Sequence, residues 1–284
     1  MTISSRVRRT IKGVTPHALV MAIIRSQTVK RRRSDALRSV SASVNEIRNA
    51  YSYNAAIDFI GAIGLPRESA IGGSIPQLSL EFCSAALDDL LPKGVPLIGL
   101  HVGNFLGISL CHFVDYVRKK SDQSVIVSID PNLTCMGIQD PQKHVISILN
   151  YFGLQRNAVV CVGYSNEKSI SNDGNIHIDD KGLEYDPFSE YRNEESCENV
   201  LSNLCTIWEG RFDFAVVDGN HERSYLQGET SVVKRLLKPE GVLILDDVSD
   251  AWVDIKAEFD DLRSKGWRAV NADGRVGVLR STPQ

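Results

Sequence analysis

The sequence lacks any apolar run of the roughly 20 residues that a helix needs to cross a bilayer. Its first residues also lack the long apolar core and the small-residue cleavage site of a signal peptide. The six cysteines form neither a CxxC pair nor a zinc-ligand spacing, and most of them lie in apolar runs, where buried free thiols are expected. Since disulfides belong to oxidising compartments, these absences together predict a cytoplasmic protein.

Acidic residues are absent from residues 1–34, although the whole chain carries a net charge of −3. In this basic segment, Ala18–Ile24 forms a short apolar run between two clusters of lysine and arginine. A helix of this composition can lie on an anionic membrane surface, so we predict peripheral contact through residues 1–33 with the inner face of the membrane. A docking helix or a disordered tail would have the same composition. Nucleic-acid binding is not expected, because the remainder is acidic and has no interleaved aromatic residues.

The overall composition is that of a soluble globular protein, with 284 residues, of which 43% are hydrophobic and 24% charged. Residues 34–91 favour helices at Ser34–Tyr51, Asn54–Ile63 and Gln77–Leu91. From Val95 onward, short buried strands alternate with helices, which indicates an α/β fold. We therefore predict a helical extension over residues 1–93 and an α/β domain over residues 94–284.

The most informative stretch is Phe212–Val248, which predicts a strand, a loop, a helix and a second strand. Phe212–Val217 is an apolar run typical of a strand buried on both faces, and Asp218-Gly219-Asn220-His221 follows it directly. Apolar residues recur at helical spacing over Leu226–Leu237, and Lys238-Pro239-Glu240-Gly241 ends that helix. Val242–Leu245 is the second strand, and Asp246-Asp247 follows it.

The acids after these two strands predict a metal site. Parallel strands joined by a helix place both carboxyl ends on one edge of a sheet, where ligands bind. Asp218, Asp246, Asp247 and His221 should therefore meet there, and three carboxylates repel one another unless a cation or protons neutralise them. Hard oxygen ligands suit Mg²⁺ or Mn²⁺. Each aspartate taken alone could be a turn or helix-capping residue, but the set at two neighbouring strand ends favours a functional site.

A glycine turn follows the first predicted strand of the α/β domain, Pro96–Val102. The segment His101–Gly107 contains Gly103 and Gly107 and leads into a predicted helix, Ile108–Lys119. Glycine lets the backbone turn sharply and approach a ligand, and a helix N-terminus offers free N–H groups. Because any strand-to-helix turn favours glycine, the position of this turn in the first α/β unit is what predicts binding.

The next two predicted strands also end in polar residues. Val125–Ile129 is followed by Asp130, which could accept hydrogen bonds from ribose hydroxyls, although an Asp-Pro turn would explain it too. Ala158–Val162 is followed by Gly163-Tyr164-Ser165. The polar segment Asn166–Glu190, with a hairpin predicted around Ile176–Ile178, is a predicted substrate lid.

The remaining predicted elements complete the domain. They are helices at Gln142–Phe152, Glu194–Trp208 and Trp252–Lys265, and strands at Trp267–Asn271 and Arg275–Arg280.

The DGNH element and the later KPEGVLILDDV segment resemble the second half of class I S-adenosylmethionine (SAM)-dependent methyltransferases. The resemblance is greatest to metal-dependent sugar O-methyltransferases of the macrocin and mycinamicin type and covers about residues 94–284. It implies a Rossmann-like, seven-stranded, mostly parallel sheet with a final antiparallel hairpin, behind an N-terminal helical extension. It also implies SAM and Mg²⁺ (or Mn²⁺) as cofactors, Asp218, Asp246 and Asp247 as metal ligands, and His221 as the catalytic base.

The same resemblance implies where SAM binds. The implied contacts are His101, Gly103, Asn104, Gly107, Ser109, Asp130, Tyr164, Ser165 and Asp218. Two positions depart from the family pattern, since His101 stands where the family has an acid and Tyr164 stands where it often has one. In this family, helices ahead of the sheet cover the active site or form a dimer interface, so a homo-oligomer is also considered.

We therefore predict SAM-dependent, metal-assisted O-methylation of a hydroxyl on a sugar, a glycosylated molecule or a lipid-linked acceptor. One alternative is a degenerate methyltransferase fold that serves as a scaffold or a glycan-binding protein, which the departures at His101 and Tyr164 would favour. Another is an NAD-dependent enzyme, which would share the glycine turn and Asp130. The sequence has no GxGxxG turn, however, and that alternative leaves the three acids unexplained.

Overall fold

A computed structural model describes residues 49–166, 177–178, 184–185 and 199–282. The basic segment 1–33, nearly all of the predicted helix Ser34–Tyr51 and most of the predicted lid lie outside these residues, so the predictions about them stay predictions. Within the described part, no helix combines the length and the apolar character needed to span a bilayer.

The helices and strands of the described residues follow the predicted alternation closely. The helices are α1 (Tyr53–Ala62), α2 (Arg67–Gly72), α3 (Gln77–Leu90), α4 (Ile108–Lys120), α5 (Pro141–Tyr151), α6 (Val200–Trp208), α7 (Arg223–Leu236) and α8 (Val253–Ser264). The strands are β1 (Ile98–Val102), β2 (Val125–Asp130), β3 (Ala158–Val162), β4 (His177–Ile178), β5 (Glu184–Tyr185), β6 (Phe212–Val217), β7 (Leu237–Leu245), β8 (Arg268–Ala272) and β9 (Gly277–Arg280). Sequence analysis did not predict the short helix α2.

Seven strands form one mostly parallel sheet in the order β3-β2-β1-β6-β7-β9-β8. Strand β1 pairs in parallel with β2 and β6, whereas β9 runs antiparallel to both of its neighbours, β7 and β8. The seven-stranded, mostly parallel sheet and its final antiparallel hairpin are therefore confirmed. Strands β4 and β5 pair separately as a small antiparallel hairpin, at the predicted place.

Strand β6 explains why the core has two layers. All six of its residues are buried, and from Phe214 to Val217 they alternate between the two faces of the sheet. Phe214 and Val216 pack in one apolar cluster, which includes Phe113 of α4. Ala215 and Val217 pack in the other, with residues of α6, α7 and α8. A continuous apolar run is thus what a strand covered on both faces requires.

The predicted helical extension packs on the sheet. Ile60 of α1 and Leu80 of α3 are fully buried in the same cluster as Phe113 and Phe214. The side chain of Ser109, at the start of α4, accepts a hydrogen bond from the Ile75 N–H at 3.1 Å. The described helices ahead of β1 therefore share the core of the α/β domain, and the predicted domain boundary at residue 93 stays a prediction.

Strand β7 begins earlier than predicted, at Leu237 instead of Val242. Leu237 already pairs with Phe212, and the register shifts between Phe212 and Phe214. Within this irregular part, Pro239 is tolerated because a bulged strand does not need every N–H for its ladder. Glu240 there has φ 64°, a left-handed conformation that turns the chain back into register.

Strands β1 and β6 are fixed to each other at both ends. At the start, the Ile98 N–H donates to Oδ2 of the buried Asp213 at 2.8 Å, and Lys238 lies 2.6 Å from the other oxygen of Asp213. Beyond the ends of the two strands, the Asp218 N–H donates to the Val102 carbonyl at 2.9 Å. The position of the Asp218 backbone is therefore set by β1.

Gly103 follows β1 directly and lies against the backbone of Asp218 and Gly219. Its φ is 76°, and a Cβ built on it would lie 1.9 Å from the Asp218 carbonyl oxygen. We expect Gly103→Ala to lower the free energy of unfolding by about 3 kcal/mol, because it combines left-handed strain with an overlap against backbone. Gly64→Ala is the matched control, since Gly64 has φ 86° with nothing within 4 Å, and it should cost only about 1 kcal/mol. Equal losses in denaturant titrations would contradict this account.

Candidate active site

A cavity of about 610 Å³ opens at the carboxyl edge of the sheet, which is the volume of a typical small-molecule site. Its walls come from the loops after β1, β2, β3, β6 and β7, from the start of α7 and α8, and from the turn between β8 and β9. The predicted site residues that line it are Gly103, Asp130, Ser165, Asp218, His221 and Asp247. The structure thus brings together residues from five strand ends.

Asp218 and Asp247 line one end of this cavity, and Asp246 lies close behind them. Burial, together with the charges of Asp246 and Asp247, raises the pKa of Asp218 well above its ordinary value. Burial and the charge of Asp246 also raise the pKa of Asp247, to about 6. The predicted repulsion among the three carboxylates is therefore present.

Asp246 differs from the prediction that it is a metal ligand. Its side chain is almost fully buried and does not line the cavity. Both of its oxygens accept hydrogen bonds from Arg275, with Nε 3.2 Å from Oδ1 and Nη2 2.8 Å from Oδ2. Arg275 Nη2 also lies 3.2 Å from Asp247 Oδ1. The Arg275 guanidinium therefore occupies both carboxylate oxygens of Asp246, which were expected to bind a metal ion. Sequence analysis did not identify Arg275.

The backbone at Asp247 explains why adjacent aspartates face different partners. Asp246 continues β7 as a hydrogen-bonded residue, with its N–H donating to the Val217 carbonyl at 3.1 Å. Asp247 has φ 57°, which is uncommon for a residue other than glycine, and it turns the chain at the strand end. This turn brings the Asp247 side chain into the cavity.

Asp218, His221 and Asp247 form the group that fits a metal ion. Each offers one ligand atom, and these atoms lie within 4.8 Å of one another. Two carboxylates with room for water suit Mg²⁺ or Mn²⁺. The residues present therefore fit a divalent ion, with Asp218 and Asp247 as the predicted ligands that face the cavity.

The imidazole of His221 has the neutral protonation state that a general base requires. Burial lowers the pKa of its imidazole below the ordinary value, so the ring is neutral at pH 7. Its Nε2 lies 3.3 Å from Asp247 Oδ2 but makes no hydrogen bond within the described structure. The ring packs against Trp252, with 4.3 Å between ring centroids. Trp252 lines the cavity and is 43% exposed.

Asp130 is held by the glycine turn. Its Oδ2 accepts from the N–H groups of Asn104 and Phe105 at 2.9 and 3.1 Å, and its Oδ1 accepts from the Asn132 N–H at 2.8 Å. The Gln142 side chain also hydrogen-bonds this carboxylate. A carboxylate has about four acceptor positions, so these four donors occupy them. Asp130 reaches the cavity, but it has less capacity for two ribose hydroxyls than the sequence analysis expected.

Four predicted cofactor contacts lie behind the cavity wall. Neither His101 nor Ser109 lines it, and the same holds for Asn104 and Gly107. The Asn104 side chain donates to Ser128 at 2.7 Å and accepts from Gln142 at 2.5 Å, and Gly107 makes the turn into α4 with φ 82°. These residues shape the glycine turn from within.

His101 is a core residue. It is fully buried, and its ring lies 5.9 Å from that of Phe113 on α4. Both ring nitrogens lack a hydrogen-bond partner in the described structure, and burial lowers the pKa to about 3. Because neighbouring residues of a strand face opposite sides, His101 points into the layer under α4. The predicted contact of His101 with the cofactor is therefore not supported.

A buried polar cluster lies beside Ser165. Ser165 Oγ donates to Glu229 Oε1 and lies 3.3 Å from the Tyr225 hydroxyl. The predicted Tyr164 packs against Tyr225 and does not line the cavity, whereas Ser165 and Tyr225 do. Sequence analysis missed Glu229, although its place three residues after Leu226 and four before Val233, on the apolar stripe of α7, was a usable signal.

The sequence matches a family described as "Methyltransferase domain" over residues 100–248, just over half of the chain. The chain belongs to this methyltransferase family. The match begins in β1 and ends beyond Asp247, so it includes the glycine turn and all three acids. No curated protein sequence matches the methyltransferase significantly.

Solved structures share the fold of this methyltransferase at low identity. They include a candidate caffeoyl-CoA O-methyltransferase from Staphylococcus aureus, with 12% identity, a TM-score of 0.52, and coverage of 87% of this chain and 99% of that chain. A Podospora anserina methyltransferase bound to S-adenosylhomocysteine (SAH) has 13% identity, a TM-score of 0.52, and coverage of 87% and 96%. An O-methyltransferase from Bacillus cereus in complex with SAH has 13% identity, a TM-score of 0.51, and coverage of 86% and 97%. The predicted class I methyltransferase fold is confirmed.

The buried carboxyl group of Glu229 should make the stability of the methyltransferase fall as pH rises. Burial raises its pKa from 4.5 to about 8, and its Oε2 has no hydrogen-bond partner in the described structure. Between these values the folded protein keeps a proton that the unfolded chain releases. Stability should therefore fall as pH rises, by up to about 1.4 kcal/mol per pH unit. Glu229→Gln should remove this part of the slope in thermal unfolding.

The matched control for this prediction is Glu68→Gln, since Glu68 is exposed. It should leave the pH dependence of unfolding unchanged. A wild-type slope that survives in Glu229→Gln would show that Glu229 does not hold a proton in the folded protein.

Proposed function

We propose that this methyltransferase transfers the methyl group of SAM to a hydroxyl oxygen, with the assistance of a divalent ion. The main support is the arrangement of Asp218, His221 and Asp247 within 4.8 Å at one end of the cavity. The SAH bound in the structures from Podospora anserina and Bacillus cereus supports the choice of SAM. The alternative NAD-dependent function has no comparable support, because the matching family is a methyltransferase family.

The cofactor would lie along the glycine turn, between Asp130 and Ser165. Gly103 lets the backbone approach a ligand, and the Asp130 carboxylate lines the cavity beside it. SAM supplies a methyl group on a positively charged sulfur, and the carboxylates nearby favour that charge. Holding donor and acceptor in line is then the main contribution of the protein to the rate.

His221 would act as the general base. Its neutral imidazole has a free Nε2 that can accept the proton of the acceptor hydroxyl, and Asp247 Oδ2, 3.3 Å away, would stabilise the resulting imidazolium. A divalent ion held by Asp218 and Asp247 would lower the pKa of that hydroxyl. Transfer would break the C–S bond of SAM and form an O–CH₃ bond, which would leave SAH, a methyl ether and the hydroxyl proton on His221.

We propose a sugar hydroxyl as the acceptor group, on a free, glycosylated or lipid-linked molecule. Trp252, half exposed beside His221, offers an aromatic face for the apolar face of a sugar ring, and the neighbouring acids can accept from its hydroxyls. Apolar residues of the cavity, among them Phe105, Leu133 and Met136, extend this surface. Membrane contact through residues 1–33 would suit a lipid-linked acceptor.

Calorimetry with the purified protein tests the cofactor. SAM and SAH should bind with affinities in the micromolar range that is usual for enzyme substrates, whereas NAD at millimolar concentration should not bind. Absence of SAM binding would leave the scaffold or glycan-binding alternative as the better account. Binding of NAD in place of SAM would contradict the proposal directly.

Methyl transfer to a panel of sugar and catechol hydroxyls tests the site. We expect His221→Gln to lower kcat by about 10²–10⁴-fold, because the base is lost, without weakening SAM binding. His144→Gln is the matched control, since His144 lies on α5 and does not line the cavity. Chelation by EDTA should abolish turnover, and added Mg²⁺ or Mn²⁺ should restore it. Full turnover in EDTA would exclude the role of the ion.

A further inference from the structure

Among the described residues that line the cavity, Arg275 is the one lysine or arginine, and Asp218 and Asp247 line it as well. Its guanidinium bonds both oxygens of Asp246, at 3.2 and 2.8 Å, and lies 3.2 Å from Asp247 Oδ1. Its charge also acts on Asp218, whose raised pKa it partly opposes. One cation therefore interacts with all three acids of the site.

The backbone holds Arg275 in this position. The Arg275 carbonyl accepts from the Val248 N–H at 2.6 Å, directly after the acidic pair. The Arg275 N–H donates to Asp273 Oδ1 at 2.9 Å, and the Val276 N–H donates to the same oxygen at 2.6 Å. These hydrogen bonds attach the turn between β8 and β9 to the end of β7. They hold the Arg275 backbone where its guanidinium reaches Asp246.

The net charge of the three carboxylates and Arg275 is equal and opposite to that of one divalent ion. Three ionised carboxylates carry three negative charges, and Arg275 offsets one of them, which leaves two. Arg275 occupies both oxygens of Asp246, whereas Asp218 and Asp247 line the cavity and Arg275 approaches only Oδ1 of Asp247. Mg²⁺ is commonly held by one or two carboxylates with several waters, so this pair is sufficient.

We propose that Arg275 is a resident counter-ion that removes Asp246 from the metal-ligand set and lowers the affinity of the site for a divalent ion. The ion is held by Asp218 and Asp247 instead of all three acids, and positions that a third carboxylate would fill stay open for water and the acceptor hydroxyl. This inference rests on the proposed use of a divalent ion. It concerns which residues bind that ion and how tightly.

Binding of Mn²⁺ to the full-length protein, followed by electron paramagnetic resonance without SAM or acceptor, tests the ligand set. Two single variants, Asp246→Asn and Asp247→Asn, each remove one negative charge while Arg275 stays in place, so they differ only in the acid removed. We expect Asp247→Asn to bind Mn²⁺ at least about tenfold more weakly than Asp246→Asn, because only Asp247 is a ligand. Equal binding by the two, or weaker binding by Asp246→Asn, would overturn the inference.

Single substitutions at Arg275 test its effect on affinity. Arg275→Gln should bind Mn²⁺ at least about tenfold more tightly, because a positive charge beside the ion is removed and Asp246 becomes a free carboxylate. Arg275→Lys keeps the charge and should stay within about threefold of the wild type. Thermal unfolding of each variant identifies any that is misfolded. Weaker Mn²⁺ binding by a folded Arg275→Gln would contradict the inference.

Failure of this inference can be distinguished from failure of the proposed function. If Mn²⁺ binds the wild type but Asp246→Asn loses as much affinity as Asp247→Asn, Asp246 is a ligand and only the inference fails. If none of the folded proteins binds Mn²⁺ while calorimetry still shows SAM binding, the metal-assisted part of the proposed function fails together with it.

Discussion

The repulsion among Asp218, Asp246 and Asp247 is the constraint around which the carboxyl edge of the sheet is arranged. Neighbouring strands of a sheet lie about 4.8 Å apart, so acids that directly follow β6 and β7 cannot avoid one another. Arg275 offsets part of this repulsion, and the remainder, together with burial, is what raises the pKa values of Asp218 and Asp247. A site kept under such strain in the ligand-free protein is well suited to bind positive charge.

Most of the fold could be predicted because its signals are local. Fully buried strands such as β6 read as short apolar runs, and the polar residues that follow them mark the edge where the sheet binds ligands. Asp218, His221 and Asp247 were found for this reason. The early start of β7 could not be predicted, because it depends on the bulged pairing of Leu237 with Phe212 on another strand.

The roles of adjacent polar residues were harder to predict, since they depend on long-range contacts. No residue-type signal distinguishes Asp246 from Asp247. The difference comes from the backbone turn at Asp247 and from Arg275, which the turn before β9 brings beside the end of β7. The same applies to Asn104, whose amide is used by Ser128 and Gln142. His101 is different, because strand alternation alone places it opposite Val102 and away from the cavity.

The two fixed points between β1 and β6 have a consequence for how the cleft forms. The hydrogen bond from Ile98 to Asp213 spans 115 residues, and the bond from Asp218 to Val102 is of similar range. Closing so long a loop is entropically unfavourable until many other contacts have formed, and such pairings slow folding. The carboxylate of Asp218 therefore has no defined position on a partly folded chain, so ligand affinity should emerge only in the last cooperative step of folding.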